Sequence, residues 1–265
     1  MDRLLSLRLR SIGCAAQALV NGVPVASIAA DGASTCVPVH EYLVEGKNQV
    51  ELVIDPPGAA SVTAPSVSVA ATAMGASLRL LLPRIGMPVS EASARSLVEL
   101  DWTCAEGDIH EPPIRVHRAV ELPINFPRWR WLEVPPRDDL AAIQPLVAEF
   151  VQEMAGALIR GNSDPFVASA RVRFEDVALA YQQPMADLVS RWHSRIQLLH
   201  VTGGLRMVMP AAVDVVLRSC AGGRLFECLG RDGRPALRTE ARGDGAVHSW
   251  PIRVAVVGGR CHVMR

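Results

Sequence analysis

The feature that most restricts what this chain can fold into is a change of period at Pro135-Pro136. Ahead of it, apolar residues recur at every second position. Behind it they recur at helical spacing for about sixty residues, and then the alternation returns. A period of two buries one face of a strand and a period near 3.6 one stripe of a helix, so neither pattern serves the other element. The chain is therefore expected to form two domains. Residues 1–134 read as an all-β antiparallel sandwich, and residues 135–265 as an α+β domain of three helices packed on a curved antiparallel sheet. With 265 residues, 49% of them hydrophobic, there is enough apolar material for two cores, and general disorder is excluded.

The first part begins with Leu5, Leu7 and Leu9 alternating with Ser6, Arg8 and Arg10. Leu19-Val20-Asn21-Gly22-Val23-Pro24-Val25 is a hairpin signal, because Asn-Gly tolerates the two positive φ angles of a type I′ turn. Pro24, which cannot donate to a ladder, belongs on an edge strand. A second hairpin is expected between residues 39–44 and the run Val50/Leu52/Ile54, stopped by Asp55-Pro56-Pro57-Gly58. Further strands are expected at Val67/Val69 against Ser66/Ser68, at Val98/Leu100/Trp102, at Ile114/Val116 and at Trp129/Trp131.

In the second part, Leu140, Ile143, Val147, Met154 and Leu158 outline one helix, with a break expected near Pro145 and an end at Gly161. Ser163 or Asp164 caps a second, carrying Val167, Ala170, Phe174, Val177 and Tyr181. Pro184 opens a third, with Met185, Leu188, Trp192, Ile196 and Leu199 on one stripe. Strands then follow at Val213/Val215/Leu217, Leu225/Leu229, Leu237/Thr239/Ala241, and Ile252/Val254/Val256 with Cys261/Val263. Gly222-Gly223, Asp232-Gly233, Asp244-Gly245 and Gly258-Gly259 lie at or near the turns.

Two resemblances accompany this reading. Asn21-Gly22-Val23-Pro24-Val25 and Tyr42-Leu43-Val44-Glu45-Gly46-Lys47-Asn48-Gln49-Val50-Glu51-Leu52 resemble the galactose-binding-like jelly-roll sandwiches that accompany many glycoside hydrolases. That likeness implies a sugar-related role. The second part is similar in outline to the nuclear-transport-factor-2-like (cystatin-like cone) superfamily, through residues 157–166 and the closing Gly258-Gly259-Arg260-Cys261-His262-Val263. This implies a curved sheet cupped around a pocket, in a fold that hosts isomerases, dehydratases and non-catalytic binding proteins.

Charge narrows the choice of partner. The 27 basic residues balance 27 acidic ones, and Lys47 is the only lysine, so the rest are arginine, an excess that reads as GC-rich bacterial coding bias. The arginines are dispersed, and no basic patch suited to nucleic acid stands out. The six cysteines, Cys14, Cys36, Cys104, Cys220, Cys228 and Cys261, form no C-x-x-C pair and read mostly as buried thiols. Arg8 and Arg10 interrupt the apolar run that a signal ending at Cys14 would need, and no run is long enough to span a membrane, so a cytoplasmic protein is expected.

Several clusters could carry chemistry. Arg128-Trp129-Arg130-Trp131, as a strand, puts both Trp on one face and both Arg on the other: inward the indoles are core, outward they make a platform for a protein or a sugar ring. Asp176, Tyr181, Trp192, His193 and Trp250 are the candidates to line an open cone, where burial would tune an acid–base pair. His193 and His200 are seven apart, too far for an ordinary helical metal pair, and no metal or cofactor is expected. His110-Glu111 precedes two prolines and reads as a loop. The leading expectation is a non-catalytic accessory protein that recognises another protein, of the immunity-protein or secretion-adaptor kind, its partner encoded by an adjacent gene. The alternatives are a small-molecule enzyme or carrier using the cone, and a carbohydrate binder using the Trp pair.

Overall fold

The computed structural model describes residues 4–30, 34–55, 67–84, 89–243 and 245–265. Pro56-Pro57-Gly58, Ser66 and Asp244, invoked above as strand or turn signals, lie outside them. The chain divides into two compact units, Met1–Arg128 and Trp129–Arg265, with four antiparallel sheets and four α-helices among the described residues. None of those helices is long and apolar enough to cross a membrane.

The first unit holds β1 (Ser6–Ile12), β2 (Ala16–Val20), β3 (Val23–Ile28), β4 (Ser34–Pro38), β5 (Gly46–Ile54), β6 (Ser68–Val69), β7 (Met74–Pro83), β8 (Ala94–Cys104), β9 (Ile109–His110) and β10 (Ile114–Leu122). One sheet runs β4-β1-β7-β8, a second β10-β5-β2-β3, and β6 pairs with β9. Alternation sets the faces: Leu7, Leu9, Leu78 and Leu80 are fully buried in the first sheet, and Val20, Val50, Leu52 and Ile54 in the second. The Asn21-Gly22 turn has φ of 50° and 74°, as the type I′ reading requires, and Pro24 sits on the edge strand β3.

Residues 39–44, by contrast, form no strand. His40–Tyr42 is a 3-10 turn, and β5 pairs with β10 and β2 instead. The cause is Asn48, almost wholly buried. Its Oδ1 accepts from the backbone N–H of Val44, and its Nδ2 donates to the carbonyls of Val44 and Gly46. A side chain that satisfies Val44 at both ends leaves no ladder for that segment to join.

The second unit contains α1 (Leu140–Ile159), α2 (Asp164–Ser169), α3 (Arg171–Tyr181) and α4 (Met185–Val201). A meander follows, β11 (Val216–Cys220), β12 (Leu225–Leu229), β13 (Arg253–Val257) and β14 (Arg260–Val263), in that spatial order. Its core joins Ile143, Val147, Val151, Met154 and Leu158 of α1 to Phe226, Cys228, Val254, Val256 and Val263 of the sheet. Four helices replace the three expected. Ala170 leaves the helical region after Ser169 Oγ bonds back to the Phe166 carbonyl (2.9 Å), dividing the second helix in two.

Pro145 causes no break, and α1 runs through it. It lies on the exposed side early in the helix, where water can take the carbonyl its ring frees. Leu237/Thr239/Ala241 makes only isolated bridges, Met207 to Thr239 and Arg238 to Ser249. Val213 and Val215 precede β11; Ala212–Asp214 is a 3-10 turn that exposes Val213 and buries Val215.

Candidate functional site

The Arg128-Trp129-Arg130-Trp131 segment is not a strand. Arg130–Glu133 is a 3-10 turn, in which successive side chains are about 120° apart, so shared faces no longer follow from alternation. Trp129 and Trp131 are 0% and 2% exposed. With both indoles enclosed, the outward platform is replaced by the core reading. Arg128 is exposed.

Arg130 reaches onto α3. Its Nη1 pairs with Glu175 (2.5 Å), its Nε lies 3.4 Å from Asp176 Oδ1, and its Nη2 donates to the Val172 carbonyl (3.1 Å). The other carboxylate oxygen of Asp176 accepts from Arg265 Nη1 at 3.0 Å, and the Arg265 guanidinium stands 5.9 Å from the ring centre of Trp131. Hydrogen bonds from Arg171 and Arg130 hold the Glu175 carboxyl below the usual carboxylate range. The structure thus unites Trp131, Arg130 and Asp176, which the sequence had assigned to two different sites. It adds Arg265, which nothing in the local sequence marked.

The remaining cone candidates gather elsewhere in the same unit. Trp192 stacks on Phe166 (ring centres 4.2 Å, 18°) and meets Trp250 edge-on at 6.5 Å. His193 Nδ1 shares a 2.6 Å hydrogen bond with Ser163 Oγ and lies 3.9 Å from Asp164 Oδ1. His193, Ser194 and Gln197 line an open depression of about 590 Å³ with residues 161–164. Gly161 is needed there: its φ is +71°, and a Cβ would come within 2.7 Å of the His200 ring. Both α4 histidines therefore face the α1–α2 loop. Tyr181, half-buried, ends α3. Asp176 is engaged by arginines and His193 by Ser163, and the space between α1 and the sheet is filled by the apolar core. Among the described residues no group of three or more His, Cys, Asp or Glu side chains is arranged to hold a metal ion.

A third surface escaped the sequence reading. The stripe Met185, Leu188, Trp192, Ile196 and Leu199 is present on α4, yet Ile196 is its one fully buried member. On the opposite face of α4, Leu198 and Val201 are 61% and 66% exposed, and Leu179 of α3 is 56% exposed. The signal was available: at about 100° per residue Leu198 and Val201 fall on the face of α4 opposite the stripe, where a helix with one buried side carries polar residues. Comparison of the chain with protein-family models, with curated proteins and with solved structures returned no match.

Proposed function

We propose that this chain is an accessory protein that recognises another protein, working in the cytoplasm on the product of an adjacent gene, in the manner of an immunity protein or secretion adaptor. The observation that carries this reading is on the last turns of α4, where Leu198 and Val201 stand exposed on the face opposite the stripe that packs inward, with Leu179 of α3 a further exposed apolar side chain. Apolar side chains so disposed suit a partner's groove, and zero net charge leaves shape and apolar contact as the main source of affinity. On this reading the first unit is a jelly-roll-like sandwich and the second an NTF2-like scaffold whose helical side, rather than its cone, does the binding.

The test is binding of the full chain to the purified products of its flanking genes by calorimetry. Leu198→Glu and Val201→Glu, both at exposed positions, should leave the thermal transition in place and weaken a cognate complex about tenfold or more each. Unchanged affinity in both variants, or no flanking product that binds, would overturn the assignment.

A further inference from the structure

The first unit brings Asp55 to Cys104 and His110, a pair six positions apart that lies beyond the intervening strands in the sequence. Cys104 ends β8, His110 ends β9, and Asp55 follows β5. The Cys104 Sγ lies 4.0 Å from His110 Nδ1, and His110 Nε2 lies 4.0 Å from Asp55 Oδ2. The two ring nitrogens thus face a thiol on one side and a carboxylate on the other. This is the order nucleophile, base, orienting group that activated nucleophiles share, with the looser spacing usual before a substrate draws such groups together.

The support around the three is specific. Asp55 holds a left-handed backbone (φ 47°), its N–H donates to the Ala15 carbonyl at 2.8 Å, and its Oδ1 accepts from the Ala15 N–H at 2.9 Å. That leaves Oδ2 turned to the imidazole. Trp102 meets the His110 ring edge-on at 6.2 Å, and the histidine side chain is 9% exposed, so the ring has little freedom to turn away. A metal would not explain the arrangement, because the thiol and the carboxylate approach different nitrogens.

We propose that Cys104 is a nucleophile toward small, uncharged acyl esters, with His110 as its base and Asp55 as the positioning residue that keeps Nε2 protonated and Nδ1 free to accept. Burial pushes the thiol's pKa up, so it rests as S–H and gives up its proton only as the new bond forms. Sγ attacks the ester carbonyl carbon while its proton passes to His110 Nδ1. The carbon–oxygen bond to the leaving alcohol breaks, and that oxygen takes the proton from His110. Water then attacks the thioester with His110 again as base, releasing the acid and restoring the thiol. With 7% of Cys104 exposed, only compact substrates reach it.

The probe is p-nitrophenyl acetate on the full chain, with the acetylated cysteine identified by peptide mass mapping and the exposed Cys36 as internal control. Cys104 should acetylate about tenfold faster than the buried Cys14. His110→Ala should slow it about 100-fold, free imidazole should restore it, and Cys36 should be unaffected. Asp55→Asn should alter the pH profile of Cys104 acetylation and leave that of Cys36 unchanged. If His110→Ala does not fold, His110→Gln and the wild-type ranking decide. Cys104 reacting no faster than Cys14, an unchanged rate without His110, or a loss that imidazole fails to restore overturns the proposal.

Discussion

Removing the carboxylate of Asp176 tests the balance of charge inside the second unit. Asp176 is 4% exposed and Arg265 1%, and they meet at 3.0 Å. In Asp176→Ala the Arg265 guanidinium stays buried without its carboxylate, a change that costs about 3–5 kcal/mol in comparable pairs. Arg130 adds little to that loss, since its side chain is 40% exposed and it keeps Glu175. About 4 kcal/mol is a large part of the 5–15 kcal/mol typical of a domain. In a unit of this size it should lower the transition by about 10–20 °C, followed by calorimetry or near-ultraviolet circular dichroism. The double variant Asp176→Leu with Arg265→Met removes both charges and should recover most of the loss, giving a coupling of about 2 kcal/mol or more. A single variant that costs under about 1 kcal/mol, or a double variant no better than the single, would refute the reasoning.

Two pH effects follow from buried groups. His40, packed on Phe126 at 4.8 Å, has its pKa lowered from the ordinary 6.5 by burial, so the unfolded chain binds the proton more readily. Stability should fall as pH drops below about 6.5, and urea titrations at about pH 7.5 and about pH 5 should show a smaller drop in His40→Phe than in the wild type. Cys220 and Cys14 go the other way. Burial pushes their thiols from 9.0 to about 12 and about 11, so stability is intact below pH 9 and declines above it by up to about 1.4 kcal/mol per pH unit for each thiol. Replacing Cys220 with Ala should flatten that alkaline slope; a slope unchanged in urea titrations would show that other groups set it.

What could be read from the sequence was what short-range pattern dictates. The Leu7/Leu9 strand, the Asn21-Gly22 turn and the helices after Pro135-Pro136 follow from period and turn chemistry, and the structure contains each of them. Where a side chain overrode the pattern, the reading failed. Asn48 captured the backbone that residues 39–44 would have spent on a ladder, and the Ser169 hydroxyl divided a helix. The candidate sites were less legible still. Arg265 and Asp176 are 89 positions apart, and Asp55 stands 49 positions before Cys104. No local periodicity carries such pairings, because they are created only when the chain closes on itself.

The hairpin at Asn21-Gly22 sets a chemical clock. An asparagine followed by glycine is the sequence most prone to deamidate, since the unhindered backbone nitrogen of the glycine can attack the side-chain amide. Here that amide is immobilised: Nδ2 donates to the Tyr42 carbonyl and to Asn48 Oδ1, each at 2.8 Å, and Oδ1 accepts from the Gln49 N–H at 2.9 Å. Attack requires the side chain to leave these partners and swing toward its own backbone. The aspartate and isoaspartate that accumulate at position 21 on storage should therefore record how often this corner of the sheet opens, a measure of local breathing written into covalent structure.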